Sequence, residues 1–266
     1  MKHITSRDNH LFKQLKKLAD SSRERRKSGQ ALLDGVHLLT AYSEAFGKPE
    51  LIIFAEGDST DEAALQMGKF KDVHTVILPP AMFADLSPVA TPTGILSLIQ
   101  TPQVKLEQPP AFALLLEDIQ QPGNLGSILR SAAAAGVEAV YLSDSCADAW
   151  SPKALRGGQG AHFVVPIIER ANLFEVAADF QGQTLAATLE GESLYDLNLT
   201  QPTAFMIGNE GLGLSKELIE TASRCVSIPM PGRVESLNAA AATAVCLFER
   251  TRQLTYSKDR LQALSA

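Results

Sequence analysis

The sequence predicts an α/β protein in two parts: a small N-terminal α/β domain, then a larger domain with a mostly parallel sheet covered by helices on both faces. Three observations predict it. From residue 112 onward, short apolar runs of strand length alternate with helix-like stretches, the pattern of a parallel sheet. Two of these runs, FMIG at 205–208 and CVSIP at 225–229, pass directly into Gly/Pro-rich polar loops that open helices. Between the two parts, TPQVKLEQPP at 101–110 is polar and Pro-rich and lies between two apolar strands, as an interdomain linker does. The expected organisation is therefore 1–101, a linker at 102–111, and 112–266.

In order along the first part, a basic amphipathic segment near 8–20 precedes a strand at 31–35, a helix at 36–46 and a strand at 50–57. A helix over 61–70 and strands at 74–79 and 94–100 complete it. The second part opens on the strand FALLLED (112–118), followed by a helix at 125–135, with Asn124 well placed to cap it. Strands EAVYLSD (138–144) and FVVPII (163–168), a helix near 172–180 and the strand TLAATLEG (184–191) come next. After the two strand-to-loop units, a long helix from about 236 to 254 closes the chain.

Composition narrows the function classes. Hydrophobic residues make up 45% of the chain, enough for ordinary globular cores. No apolar run reaches the roughly 18 to 20 residues of a membrane helix, and the N-terminus lacks the apolar centre of a signal peptide, so a cytoplasmic protein without membrane contact is expected. Three cysteines, far apart and without CxxC spacing, fit neither a disulfide framework nor a zinc site. The net charge of −6 hides an asymmetry: residues 1–30 hold nine Lys/Arg against three Asp/Glu, leaving fifteen against twenty-seven elsewhere. Because attraction to phosphate depends on local patches, Lys13, Lys16, Lys17, Arg23, Arg25, Arg26 and Lys27 are a candidate RNA-contacting segment, against the plainer reading of a solvated basic helix face.

Open α/β sheets bind ligands beyond the carboxyl ends of their strands. The loops there carry Gly208, Asn209, Glu210, Gly211, Gly213, Ser236 and Asn238, with no His, Cys or Asp among them. Metal, thiol and charge-relay chemistry fit poorly, and backbone donors plus one carboxylate suggest a small-molecule cradle. The turn before the first helix, PGN at 122–124, lacks the G-x-G-x-x-G of a nicotinamide or flavin site, and the chain has no G-x-x-x-x-G-K-[ST].

Three stretches together are more specific than any one. NLGSILR (124–130), IGNEGLGLS (207–215) and IPMPGRVESLN (228–238), in that order, resemble the three signature motifs of the SpoU (TrmH-like) branch of the SPOUT RNA methyltransferases. The likeness extends to ITSRDN, LLDGVHLL and PTGILS in the first hundred residues, which resemble the substrate-binding domain of many members, and to WSPKALRGGQGA at 150–161.

The resemblance implies an L30e-like N-terminal RNA-binding domain and a C-terminal SPOUT domain with a deep trefoil knot, a feature no periodicity would predict. It implies methyl transfer from S-adenosylmethionine to an RNA ribose 2′-oxygen by a homodimer associating through its C-terminal domain, without metal, and ribosomal RNA is favoured over transfer RNA. By the same resemblance the catalytic residues are Asn124, Arg130, Glu210, Ser236 and Asn238. The cofactor would be held by Thr188, Leu189, Glu190, Ile207, Gly208, Asn209, Gly211, Ile228, Met230, Ser236 and Leu237. Glycines 208, 211, 213 and 232 would permit close approach and positive φ. For single residues the plainer readings are a helix cap for Asn124, a surface or ion-paired arginine for Arg130, and core packing for Ile228 and Leu237. Asn209 stands where many relatives carry serine, and Asp34 where the family has glutamate. An RNA base methyltransferase and a non-catalytic RNA-binding protein of the same fold are the alternatives. The first would not be expected to keep this motif set, and the second would be expected to lose Arg130, Glu210 or Asn238.

Overall fold

The computed structural model describes all residues except 1, 58–67, 88–92, 103–105, 107 and 265–266, with backbone alone for 256–264. In chain order its elements are β1 (Lys2–His3), α1 (His10–Asp20), α2 (Ser22–Ser28), β2 (Gln30–Asp34), α3 (Val36–Phe46), β3 (Leu51–Ala55), β4 (Thr75–Leu78), α4 (Pro80–Ala84), β5 (Ile95–Gln100) and β6 (Phe112–Leu116). There follow α5 (Pro122–Ala135), β7 (Ala139–Leu142), α6 (Pro152–Gly158), β8 (Ile167–Ile168), α7 (Leu173–Asp179), β9 (Gln183–Ser193), β10 (Thr203–Ile207), α8 (Lys216–Glu220), β11 (Arg224–Ser227) and α9 (Ala239–Leu264). Most of the helix expected over 61–70 lies outside the described residues. Two compact units form, one of Met1–Gln103 with Asp148–Val164, the other of Val104–Ala147 with Val165–Ala266.

The first unit is built on a sheet of order β1-β4-β3-β5-β2, with β5 antiparallel to both neighbours and the rest parallel. α1 buries Phe12, Leu15 and Leu18, spaced three apart on one face, in a core with Ile4, Val76 and Phe83. Asn9 caps it, its side chain accepting from the N–H groups of Leu11 and Phe12. The basic run is two helices, because the chain turns extended at Ser21, whose hydroxyl then caps α2. Arg25 departs from the expected RNA-facing arm. It is 5% exposed, its guanidinium donates to the carbonyls of Leu18 and Ala19, and it pairs with Asp148 at 2.6 Å. Arg23, Arg26 and Lys27 remain exposed.

Residues 148–164 form a strap over this unit. Asp148 anchors one end on Arg25, α6 packs on β2, the His37 ring meets the Gln159 carbonyl at 3.2 Å, and Phe163 packs edge-on against Tyr42 with centroids 5.5 Å apart. This explains a difference from the expected strand at 163–168: Phe163 ends a 3-10 turn held by the aromatic contact, and only Ile167 and Ile168, beyond Pro166, pair with β7.

The second unit is a six-stranded sheet of order β11-β9-β10-β6-β7-β8, parallel throughout. β6 and β10 lie side by side at its centre, Phe112–Leu116 in register with Thr203–Ile207, every residue buried. α9 packs along α5 and starts at Ala239, three residues later than the sequence suggests, because Asn238 caps it through Oδ1, which accepts from the Ala240 N–H at 2.9 Å.

Candidate active site

The chain moves outward from β6 through β7 to β8, then returns to the other side of β6 through β9 and β10. The carboxyl ends of β6 and β10 are thus where the strand order reverses, the place where open α/β sheets bind ligands. A cleft of ≈ 420 Å³ opens there, beside the ends of β9, β10 and β11. Its volume falls within the usual range for small-molecule sites.

Ten of the eleven residues expected to hold a cofactor line this cleft: Thr188, Leu189, Ile207, Gly208, Asn209, Gly211, Ile228, Met230, Ser236 and Leu237. Glu190 does not. β9 pairs through Ala186 with Cys225 and resumes at Glu192 with Val226, so 187–191 bulge out of register. The bulge brings Ala187, Thr188 and Leu189 to the cleft and carries Glu190 past it. Ala239 and Ala242 also line it, residues that the motifs do not single out; their spacing of three on a helix is the available signal.

The glycines act differently from expectation. Of the four in the two loops, only Gly213 has positive φ, at +72°. Gly208 is required by its own loop, since a Cβ there would lie 2.2 Å from the Gly213 carbon and the Leu214 nitrogen. Asn209 and Gly213 exchange N–H···O bonds of 3.0 and 2.9 Å, and Asn209 Oδ1 accepts from the N–H groups of Gly211 and Leu212. The second loop's N–H donors are therefore mostly satisfied internally. In the third loop, by contrast, the N–H groups of Met230 and residues 232–237 have no protein partner among the described residues. Of these, Met230, Ser236 and Leu237 border the cleft and can donate to a ligand there.

The three loops meet in one hydrogen-bonded cluster. α5 begins at Pro122, so Asn124 occupies its third position and is not the cap. Its side chain instead donates from Nδ2 to Glu210 Oε1 at 2.9 Å and accepts at Oδ1 from Asn238 Nδ2 at 3.2 Å. Burial acts to raise the Glu210 pKa, but hydrogen bonds from Asn124 and from the backbone N–H groups of Glu210, Gln120 and Gln121 outweigh it and hold the carboxyl below its ordinary value. An ionised carboxylate so fully engaged at a helix start is a weak base and a firm anchor. Ser236 borders the cleft and is exposed. Arg130 is not brought into the cluster. Six positions along α5 from Asn124, it lies about 240° round and about 9 Å along the helix, exposed to solvent. Among the described residues no group of His, Cys, Asp and Glu is placed to hold a metal.

Residues 111–248 match the SpoU rRNA methylase family, and 9–97 match an MRM3-like substrate-binding domain. The chain belongs to the SpoU rRNA methylase family. Similar proteins include an uncharacterized tRNA/rRNA methyltransferase of Synechocystis, 35% identical over 94% of this chain and 93% of its own. The 23S rRNA (guanosine(2553)-2′-O)-methyltransferase RlmP of Bacillus subtilis is 32% identical, covering 93% and 98%. Among solved SpoU structures, the methyltransferase AviRb from Streptomyces viridochromogenes, in complex with AdoMet, superposes with a TM-score of 0.83 at 27% identity over 92% of this chain and 98% of that one.

Proposed function

We propose that the chain is an S-adenosylmethionine-dependent RNA methyltransferase acting on a ribose 2′-oxygen, with ribosomal RNA as substrate. The observation that carries this reading is the Asn124–Glu210–Asn238 cluster, which joins all three signature loops beside a cleft of cofactor size. The cleft fits the cofactor: Leu189, Ile228, Met230 and Leu237 offer apolar surface, and the third loop offers unpartnered N–H donors. When bound, S-adenosylmethionine supplies an electrophilic methyl on a sulfonium.

In the transfer, an O–CH₃ bond forms at the 2′-oxygen, the C–S bond breaks to leave a neutral thioether, and the hydroxyl proton passes to water or to an adjacent RNA phosphate oxygen, Glu210 being held ionised. Glu210 stays ionised and orients Asn124, whose remaining N–H, with that of Asn238, can hold the attacking oxygen in line. Arg130 is exposed on another face of α5, a cation available to an RNA phosphate. We further propose a homodimer through the C-terminal unit, supported by the exposed Val234 and Phe248, which lie outside the lining of the cleft. The knot expected of the family is supported by the third loop, which shares the cleft with the second and is tied to Asn124 before α9 begins. A cytoplasmic site of action accords with the bacterial ribosomal-RNA relatives, and among the described residues no helix is long and apolar enough to cross a membrane.

The test is to incubate purified protein with methyl-labelled cofactor and ribosomal RNA, with chelator present, and to identify the labelled nucleoside after digestion. A 2′-O-methylnucleoside is expected. A base-methylated product, or transfer that stops with the chelator, contradicts the proposal.

A further inference from the structure

The loop that carries Glu210 is gripped at both ends by two consecutive residues at the carboxyl end of β6. At its start, Asn209 Nδ2 donates to the Asp118 carbonyl at 2.9 Å. At its end, the Glu117 carboxylate accepts from the Ser215 backbone N–H and from the Ser215 hydroxyl, both at 2.7 Å, while Ser215 caps α8 by accepting from the Leu218 N–H. Glu117 also donates its own N–H to the Ile207 carbonyl at 2.9 Å, so the grip closes on both sides of Glu210.

Asp118 is itself held in place. Its φ of +56° is in the left-handed region, uncommon for a residue with a side chain, and such a conformation persists where its surroundings impose it. Here Ser143 does so: the Asp118 N–H donates to Ser143 Oγ at 2.9 Å, and Ser143 Oγ donates to Asp118 Oδ1 at 2.8 Å. This turn points the Asp118 carbonyl at Asn209.

We propose that Glu117 and Asn209 are positioning residues for methyl transfer, together fixing loop 209–215 so that Glu210 meets Asn124 at the start of α5. The proposal rests on the function proposed above. Both Glu117 oxygens are occupied within the protein. Asn209 borders the cleft, yet its carbonyl oxygen takes two donors and its amide gives one hydrogen to Asp118, so its side chain is engaged chiefly in building the loop. A serine could not both donate across to Asp118 and accept from two successive N–H groups at the same reach, which assigns a purpose to the asparagine at this position. Because in-line transfer is steep in geometry, a loop that drifts by an ångström loses rate even while the cleft survives.

The experiment uses the full chain with Glu117→Ala, Glu117→Gln and Asn209→Ala. Three quantities are read on each: single-turnover methyl transfer to ribosomal RNA at saturating cofactor, cofactor affinity by calorimetry, and the Glu210 carboxyl titration by carbon-13 NMR. Glu117→Ala and Asn209→Ala are expected to slow transfer about tenfold or more with a smaller change in affinity, and to move the Glu210 titration up toward the ordinary carboxylate range. Glu117→Gln, which keeps an acceptor for the Ser215 N–H, is expected to recover much of both. Transfer lowered with the Glu210 titration unmoved would show a merely structural role and overturn the proposal, as would unchanged rates. Should the wild-type chain transfer no methyl to RNA, the functional reading fails while the Glu210 titration still decides the positioning.

Discussion

Asn124 and Asn238 have no freedom in how their amides point. Glu210 can only accept, so Asn124 must turn its NH₂ toward it, and its oxygen then faces Asn238. The Asn238 oxygen is taken by the cap of α9, so its NH₂ must face Asn124, and the chain of bonds is self-consistent. The residues of this cluster were legible as motif members, but their roles were not. Asn124 looked like a cap because it precedes an apolar periodic run, and only the helix start at Pro122 frees its side chain for Glu210. Arg130 stands apart, exposed and two turns into α5, and the two readings of it separate cleanly. If it supplies the cation for transfer, Arg130→Ala lowers single-turnover methyl transfer at saturating RNA and cofactor by about a hundredfold, around 3 kcal/mol, with an unchanged melting curve. Arg130→Lys fails nearly as badly, since an ammonium cannot reproduce a planar five-donor fork. Near-wild-type turnover in Arg130→Ala removes it from the mechanism.

Among the elements, the strap at 148–164 has the clearest consequences. The side chains of Arg25 and Asp148 are each 6% exposed, so removing one leaves the other's charge buried and unpaired. Arg25→Ala should therefore destabilise the protein by about 3–5 kcal/mol in denaturant unfolding. The exposed pair Arg26→Ala/Lys27→Ala should leave stability alone and flatten the salt dependence of RNA binding by a little under one log–log unit per lost phosphate contact. An unchanged salt slope would mean that Arg26 and Lys27 do not touch RNA phosphates. Within the same strap, His162 is 1% exposed, and burial, opposed by its bond to the Ala149 carbonyl, pushes its pKa down to about 4. A depressed histidine takes up its proton more readily when unfolded, so its contribution is complete above the unfolded value near pH 6.5 and is lost as pH falls toward about 4. Thermal melting of wild type against His162→Phe across that window checks it: a slope common to both proteins would exclude His162. WSPKALRGGQGA marks this stretch in the sequence, but nothing there could reveal that it packs on the first unit. Lys and Arg counts do not separate a buried arginine from its solvated neighbours, and FVVPII satisfies a strand pattern although Phe163 is drawn away by Tyr42.

For the molecule as a whole, the parallel sheet of the second unit was legible because buried central strands such as FALLL and TAFMI are continuous apolar runs, and because each ends in a turn-rich loop. The order of strands was not, since periodicity carries no information on which strand neighbours which, and it is the adjacency of β6 and β10 that gathers the three motifs. The apolar side chains left exposed on the second unit predict a dimer by light scattering at micromolar concentration, which Phe248→Asp should weaken if Phe248 lies at the interface. A monomeric wild type would contradict the association proposed. The most direct measurement for the account as a whole is a map of ribose 2′-O-methylation across total RNA from cells with and without the gene, the latter complemented by wild type or by Arg130→Ala. A ribosomal-RNA methylation that disappears with the gene, returns with the wild-type chain and does not return with the variant is expected; identical maps with and without the gene would contradict ribose methylation by this chain.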